Sequence, residues 1–374
     1  MKDIKMVDLQ SQYLRIKSEI DQAIQTVLHS TAFIQGPQVN TFAEKLSNYI
    51  GGAHVVTCAN GTDALQIAMM ALELKAGDEI ILPVHTYVAT AEVIALLGLI
   101  PVFVDVEETT FNIDVNQIEA KITSKTKVII PVHLYGQCAD MERIMTVARK
   151  HNLYVIEDTA QALGSQYKFS DGAEKRAGTI GTIGTTSFFP SKNLGCFGDG
   201  GAIFSSDELI TEKMRMIANH GQKVKYHHDL VGINSRLDTL QAAILDVKLN
   251  YLNEYESKRN EVANFYDSRL AGISSIRIPL RAKYSTHVFH QYTLRAGKRD
   301  ELKIHLAQKG IPTMVYYPVP LHLQKAYKRA GNPEGSFPIT ERLSKEVISL
   351  PIHTEMNEHE LDYICQSIKD FYHD

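Results

Sequence analysis

Between Val55 and Ser205 short apolar runs alternate with helical stretches, and this alternation limits the chain to few architectures. The runs at residues 55–58, 79–83, 101–104, 128–132 and 154–157 have the length and β-branched content of buried strands. Helical patterns at 64–72, 89–97, 115–121 and 141–150 lie between them. Such a succession requires right-handed crossovers, which cover a mostly parallel sheet on both faces and leave ligands at its carboxyl edge. A further strand pair, 185–189 and 201–205, brackets a glycine-rich loop and brings the expected sheet to seven strands. An amphipathic helix at 11–28 and a turn at Gln35, Gly36 and Pro37 precede the alternation. Helices at 208–219 and, longer, 237–271 follow it. From Ile276 onward a strand at 291–295 and helices at 299–308 and 358–370 read as a smaller α/β unit. The expected division is therefore 1–250 for the large domain and 251–374 for the small one, begun by the long connecting helix.

Composition excludes several function classes. A chain of 374 residues with 44% hydrophobic and 22% charged residues buries a sizeable core. Its formal net charge of -4 leaves no electrostatic footprint for nucleic acid or an anionic membrane. The four cysteines, Cys58, Cys138, Cys196 and Cys365, lack metal-ligand spacing and read as reduced thiols, Cys58 and Cys196 as small buried residues. No apolar signal core stands at the N-terminus and no later run is long enough to span a bilayer, so the expected setting is cytoplasmic.

Four segments fall at strand ends, where such a sheet places its chemistry. Asn60, Gly61, Thr62 and Asp63 turn a strand into a helix, where free backbone N–H groups and the Thr62 hydroxyl suit a phosphate; Thr62 or Asp63 as a simple helix cap fits equally. His85, Thr86 and Tyr87 end another strand, and the Tyr87 ring suits either a planar ligand or core packing. Glu157 and Asp158 end a third, offering a carboxylate for a protonated ring nitrogen or a helix cap; with no histidine or carboxylate cluster beside them, a metal site is not expected. Lys192 sits in the loop Ser187 to Gly201, with Phe188 and Phe189 as expected aromatic walls, where partial desolvation would make its amine a nucleophile. The adjacent His227 and His228 read as loop residues.

Taken together, the motifs at 60–65, 157–161, 187–192 and 234–238 resemble those of the DegT/StrS nucleotide-sugar aminotransferases across nearly the whole chain. That resemblance implies fold type I of the pyridoxal phosphate (PLP) enzymes, with pyridoxamine phosphate as the alternate cofactor state. It implies that Lys192 forms the Schiff base with PLP, Asp158 pairs with the pyridine nitrogen, Gln161 approaches the ring hydroxyl and Tyr87 stacks on the ring. Gly61, Thr62 and Ser187 would hold the phosphate, with Asn234 supplied by the neighbouring subunit of a homodimer. The implied reaction is amino transfer, from glutamate, to the 3-keto carbon of a UDP-linked 2-acetamido hexuronic acid for surface polysaccharide biosynthesis. Arg236 would then face the sugar carboxylate, the donor carboxylate or only Asp238. Such enzymes often carry His-Tyr-Pro where this chain has Tyr316, Tyr317 and Pro318, which keeps a dTDP-linked keto-6-deoxyhexose as the alternative at a substrate site formed by Arg236, Tyr316 and Tyr317. Lys192 argues against a PLP-dependent dehydratase, in which histidine replaces the lysine, and against a non-catalytic regulator on the same fold.

Overall fold

A computed structural model describes residues 4–328 and 331–373. Its large sheet contains β1 (His54–Cys58), β2 (Glu79–Pro83), β3 (Ile100–Val104), β4 (Thr126–Ile129), β5 (Tyr154–Asp158), β6 (Ile183–Ser187) and β7 (Gly201–Ser205). The spatial order is β1-β7-β6-β5-β4-β2-β3. Only β7 runs antiparallel to its neighbours, so the seven-stranded, mostly parallel sheet expected from the alternation is present. Burial explains the unbroken apolar runs: every residue of β7, and all but the first of β5, is buried because helices cover both faces. Helices Gly61–Ala71 and Ala89–Leu96 contribute Leu65, Ile67, Met69, Val93 and Ile94 to the core on one face. The other face packs Ile113, Met141, Ile144 and Ala148 over Ile81, Ile129 and Val155.

Two helices that the periodicity reads as continuous are broken. The segment 11–28 forms Leu9–Arg15 and Lys17–Ser30 around Ile16, whose φ of -116° leaves helical geometry while its side chain stays buried. The segment 237–271 similarly forms Thr239–Leu249 and Leu252–Leu270. A short break hardly rotates the apolar stripe, so hydrophobic spacing alone cannot show it. Helix Pro37–Tyr49 was not expected, although Pro37 at its first position and the fully buried Phe42 and Leu46 are its signals. Strand β4 ends at Ile129 rather than 132, yet Val132 still bridges to Asp158.

Beyond Tyr251 a second core gathers Val262, Tyr266 and Leu270 with Tyr292, Leu294, Ile348, Ile364 and Ile368. They flank a three-stranded antiparallel sheet of β8 (Ile276–Arg277), β9 (Tyr292–Ala296) and β10 (Val347–Leu350). The chain then returns: Leu321, Tyr327 and Phe337 pack into the large-sheet core, which brings the preceding Tyr316 and Tyr317 to its edge. Among the described residues no helix is long and apolar enough to cross a membrane.

Backbone contact is close where β6 passes the loop following β5. A methyl group on Gly184 would lie 2.1 Å from the Gly178 carbonyl oxygen. Gly184→Ala should therefore cost about 1–3 kcal/mol of stability, as overpacking of a rigid core does. A melting temperature equal to the parent's would contradict that contact.

Candidate active site

Because β7 pairs Gly201 with both Cys58 and Ser187, the carboxyl ends of β1 and β6 meet the start of β7 at one edge. The loop 188–200 must then leave and re-enter at that edge, carrying Lys192 across it. The parallel strands β2 and β5 deliver Tyr87 and Asp158 to the same edge. One cavity of about 670 Å³ is lined by Gly61, Thr62, Tyr87, Asp158, Gln161, Ser187, Lys192, Tyr316 and Tyr317, nine of the eleven residues singled out in the sequence.

Local geometry resolves the readings that the sequence leaves open. At helix Gly61–Ala71 the cap is Asn60, whose Oδ1 accepts from Asp63 N at 2.8 Å, so the Thr62 hydroxyl is not used as a cap. An ideal Cβ on Gly61 would lie 2.7 Å from Ser187 Cβ, so only glycine lets the helix start abut the end of β6. Free N–H groups, the positive end of the helix dipole and two hydroxyls thereby converge in an anion cradle. Tyr87 is exposed and lies 6.1 Å from the Tyr317 ring, at the cavity wall rather than in the core. Phe188, by contrast, is fully buried against Phe42 and is no wall of the site; Phe189 is.

The two acidic residues ending β5 have separate tasks. Glu157 is fully buried, and its carboxylate accepts from the backbone N–H groups of Gly178, Ile180 and Gly181 at 2.9, 2.7 and 2.6 Å. His133 completes this shell at 2.9 Å; its Nδ1 accepts from Ala139 N, so Nε2 carries the proton toward Glu157. Glu157 is thus a brace for the loop before β6. Asp158, one residue later and on the opposite face of the strand, lines the cavity, where Oδ1 accepts from Ala160 N and Oδ2 from the Thr90 hydroxyl. Gln161 is fixed at both ends of its amide: Oε1 accepts from Tyr135 N at 2.8 Å, and Nε2 donates to the Tyr317 hydroxyl at 3.2 Å.

Desolvation pulls the Lys192 amine down from 10.5 to about 8, with the Asp158 charge partly opposing the shift. The amine is therefore substantially neutral, hence nucleophilic, near pH 8. His290 and Gln291 also line the cavity and were not singled out in the sequence. His290 is buried, which lowers its pKa well below the usual histidine value, with Lys192 adding to the effect. Its signal, a His-Gln pair just before β9, carries no recognisable spacing. Thr86, whose buried hydroxyl has no hydrogen-bond partner, is likewise in the wall.

Asn234 and Arg236 are not brought to this cavity. Asn234 is exposed and bridges to Asn219, while Arg236 lines a separate cavity of about 770 Å³ with Gln35, Asn40 and Thr57. Between them the buried Ser235 accepts from Ala59 N at 3.0 Å, which fixes this segment beside the end of β1. His227 and His228 form part of a small exposed hairpin rather than an irregular loop, and the described residues hold no cluster able to bind a metal. All four cysteines are buried and unpaired.

Comparison with known proteins fits this geometry. The profile of the DegT/DnrJ/EryC1/StrS aminotransferase family matches residues 14–369. A "Pleiotropic regulatory protein" of Geobacillus stearothermophilus is 46% identical over 99% of each chain. The UDP-2-acetamido-2-deoxy-3-oxo-D-glucuronate aminotransferase of Pseudomonas aeruginosa is 45% identical, covering 98% of this chain and 99% of its own. A solved aminotransferase from Brucella abortus superposes with a TM-score of 0.95 at 38% identity, covering 99% of this chain and all of its own. NtdA of Bacillus subtilis, solved with bound pyridoxamine phosphate, has a TM-score of 0.88 at 32% identity over 96% of this chain and 82% of its own.

PLP fits the residues present. The anion cradle at Gly61, Thr62 and Ser187 suits its phosphate, Tyr87 its ring face, Asp158 its pyridine nitrogen and Lys192 its aldehyde. In cofactor-free protein, trapping of Lys192 by an aldehyde with borohydride should rise through about pH 8 and level off above it, because the amine loses its proton there. Peptide mass spectrometry across a pH series measures this; a midpoint near that of a solvated lysine would contradict the desolvated setting.

Proposed function

This chain belongs to the DegT/DnrJ/EryC1/StrS aminotransferase family, and from that premise we propose that it moves an amino group from glutamate to the 3-keto carbon of a UDP-linked 2-acetamido hexuronic acid. It is a PLP-dependent transaminase acting on a nucleotide sugar. The observation that carries the reading is the convergence of Lys192, Asp158, Thr62 and Tyr87 on one cavity. The sugar class is supported by the 45% identity to the Pseudomonas aeruginosa enzyme along nearly the full chain. The product would serve surface polysaccharide assembly.

When bound, the cofactor supplies an electron sink for the carbon that loses its proton. Lys192 Nζ would take that proton from the α-carbon of glutamate and return it to the cofactor's former aldehyde carbon; for the keto sugar it would work in the reverse sense. A lysine desolvated enough to be half neutral near pH 8 suits both directions. The Asp158 carboxylate would hold the ring nitrogen protonated, the state in which the ring best accepts electrons. Gln161, immobilised by Tyr135 and Tyr317, orients the ring hydroxyl. Tyr87 and Phe189 limit water at the mouth.

Among the described lining residues, Lys192 is the only lysine or arginine. A substrate carrying a diphosphate and a carboxylate needs further positive charge. We assign it to a second copy of the chain, with Asn234 exposed and Arg236 in the wall of the other cavity. Exposed Phe33, Ile34 and Phe197 lie against the residues that follow that segment and suit burial in a homodimer: Phe33 and Ile34 contact Thr239 and Asp238, and Phe197 contacts Gln241. Tyr316 and Tyr317 then line the sugar side of the cavity.

Lys192→Ala should lower turnover about 10²–10⁴-fold or more, the usual range for losing a general acid–base. Borohydride should place the cofactor mass on the peptide containing Lys192; an adduct on another lysine overturns the assignment. Mixing inactive Lys192→Ala chains with inactive Asn234→Ala chains should restore part of the activity, and verified mixed dimers without activity would exclude a shared site. Offered UDP- and dTDP-linked 3-keto and 4-keto sugars with glutamate, the enzyme should yield a 3-amino UDP-hexuronate, identified by mass spectrometry and NMR. A 4-amino product or a dTDP preference would overturn the substrate proposed.

A further inference from the structure

We propose that Thr90 is a positioning residue for transamination, its hydroxyl fixing the rotation of the Asp158 carboxylate in front of the cofactor ring. Thr90 lies in the first turn of helix Ala89–Leu96 and is fully buried. A buried hydroxyl is tolerated when it is hydrogen-bonded, and a helical threonine ordinarily bonds a carbonyl of its own preceding turn. Thr90 instead donates to Asp158 Oδ2 at 2.9 Å, across 68 residues of sequence.

The bond matters because of what else holds Asp158. Its Oδ1 accepts from Ala160 N at 3.1 Å, a local contact within the turn that follows β5. One such bond leaves the carboxylate free to rotate about Cβ–Cγ; a second donor on the other oxygen fixes its plane. Carboxylate oxygens accept more than one hydrogen bond, so lone pairs remain for a ring N–H in the cavity that Asp158 lines. Thr90 also shares a short segment with Thr86, Tyr87 and Ala89, all in the cavity wall. One stretch of chain thereby places the ring on Tyr87 and aims the carboxylate at the ring nitrogen.

This inference rests on Asp158 being the ring-nitrogen partner, and its test separates the two. Full-length protein carrying Thr90→Val, Thr90→Ser, Thr90→Ala or Asp158→Asn is prepared with and without PLP. Thr90→Val keeps the volume and removes the donor; it should lower kcat about tenfold or more while leaving KM for glutamate within about twofold, as expected for loss of a hydrogen bond to a charged group felt in the transition state. It should also shift the pH midpoint of the cofactor's visible band and weaken cofactor binding several-fold. Thr90→Ser should recover most of both, and unchanged melting of the cofactor-free variants shows that the fold is intact. If Thr90→Val does not fold, the comparison passes to Thr90→Ser against Thr90→Ala, which differ by the hydroxyl alone.

The inference fails if removal of the hydroxyl leaves spectrum and kcat at parental values, or if Thr90→Ser is as impaired as the variants without a hydroxyl. An inactive Asp158→Asn beside a normal Thr90→Val overturns the Thr90 inference alone. An Asp158→Asn protein with parental spectrum and turnover overturns the reading of Asp158 and the Thr90 inference with it.

Discussion

The insertion of one antiparallel strand into an otherwise parallel sheet governs this molecule. A parallel neighbour would begin at the far edge, and the chain leaving β6 would have to travel back across a face of the sheet. Because β7 runs the other way, Ser187 and Gly201 are partners in register. The intervening loop stays at the edge where the other strands end. The position of Lys192 follows from strand direction first, and from its neighbours second.

Those neighbours hold the loop from several sides. Asn193 donates to the Val288 carbonyl at 2.9 Å, and the buried Lys248 ammonium donates to the Gly195 carbonyl at 2.5 Å. The Cys196 thiol points to the carbonyls of Phe188 and Gly198. Burying Lys248 is costly, as its pKa pulled down to about 8 by desolvation shows. That cost goes to an irregular loop with no sheet partners of its own, and leaves Lys192 as the amine facing the cavity.

The sheet and the residues at its edge were legible in the sequence because both follow from local rules. Buried strands must be short and apolar, and chemistry at their carboxyl ends must stand at or just beyond the last residue, as Asp158 and Tyr87 do. What was illegible depends on tertiary partners. His290 and Gln291 reach the cavity although they lead into β9 of the second core, and Thr90 is an ordinary helical threonine until Asp158 is placed opposite it. Glu157 and Asp158 form an undivided pair in the sequence. Only the alternation of a strand's two faces, together with the backbone donors at Gly178, Ile180 and Gly181, makes one a brace and the other a site residue. The breaks at Ile16 and between Leu249 and Leu252 were hidden because a helix can bend while keeping its apolar stripe.

Arg259 ties the second core to this edge in a way that reaches beyond packing. Fully enclosed, its guanidinium donates to the carbonyls of Phe289, His290 and Ile352 at 3.0, 3.4 and 3.2 Å. One wall of the cavity is therefore suspended from a helix of the small core, while the floor belongs to the large sheet. In the language of local unfolding, the cavity cannot outlast whichever of the two cores opens first. A ligand that spans wall and floor binds only when both are closed, and so links the two opening equilibria. The amides of β9 and β10, far from any substrate atom, are where that linkage would register as slowed hydrogen exchange.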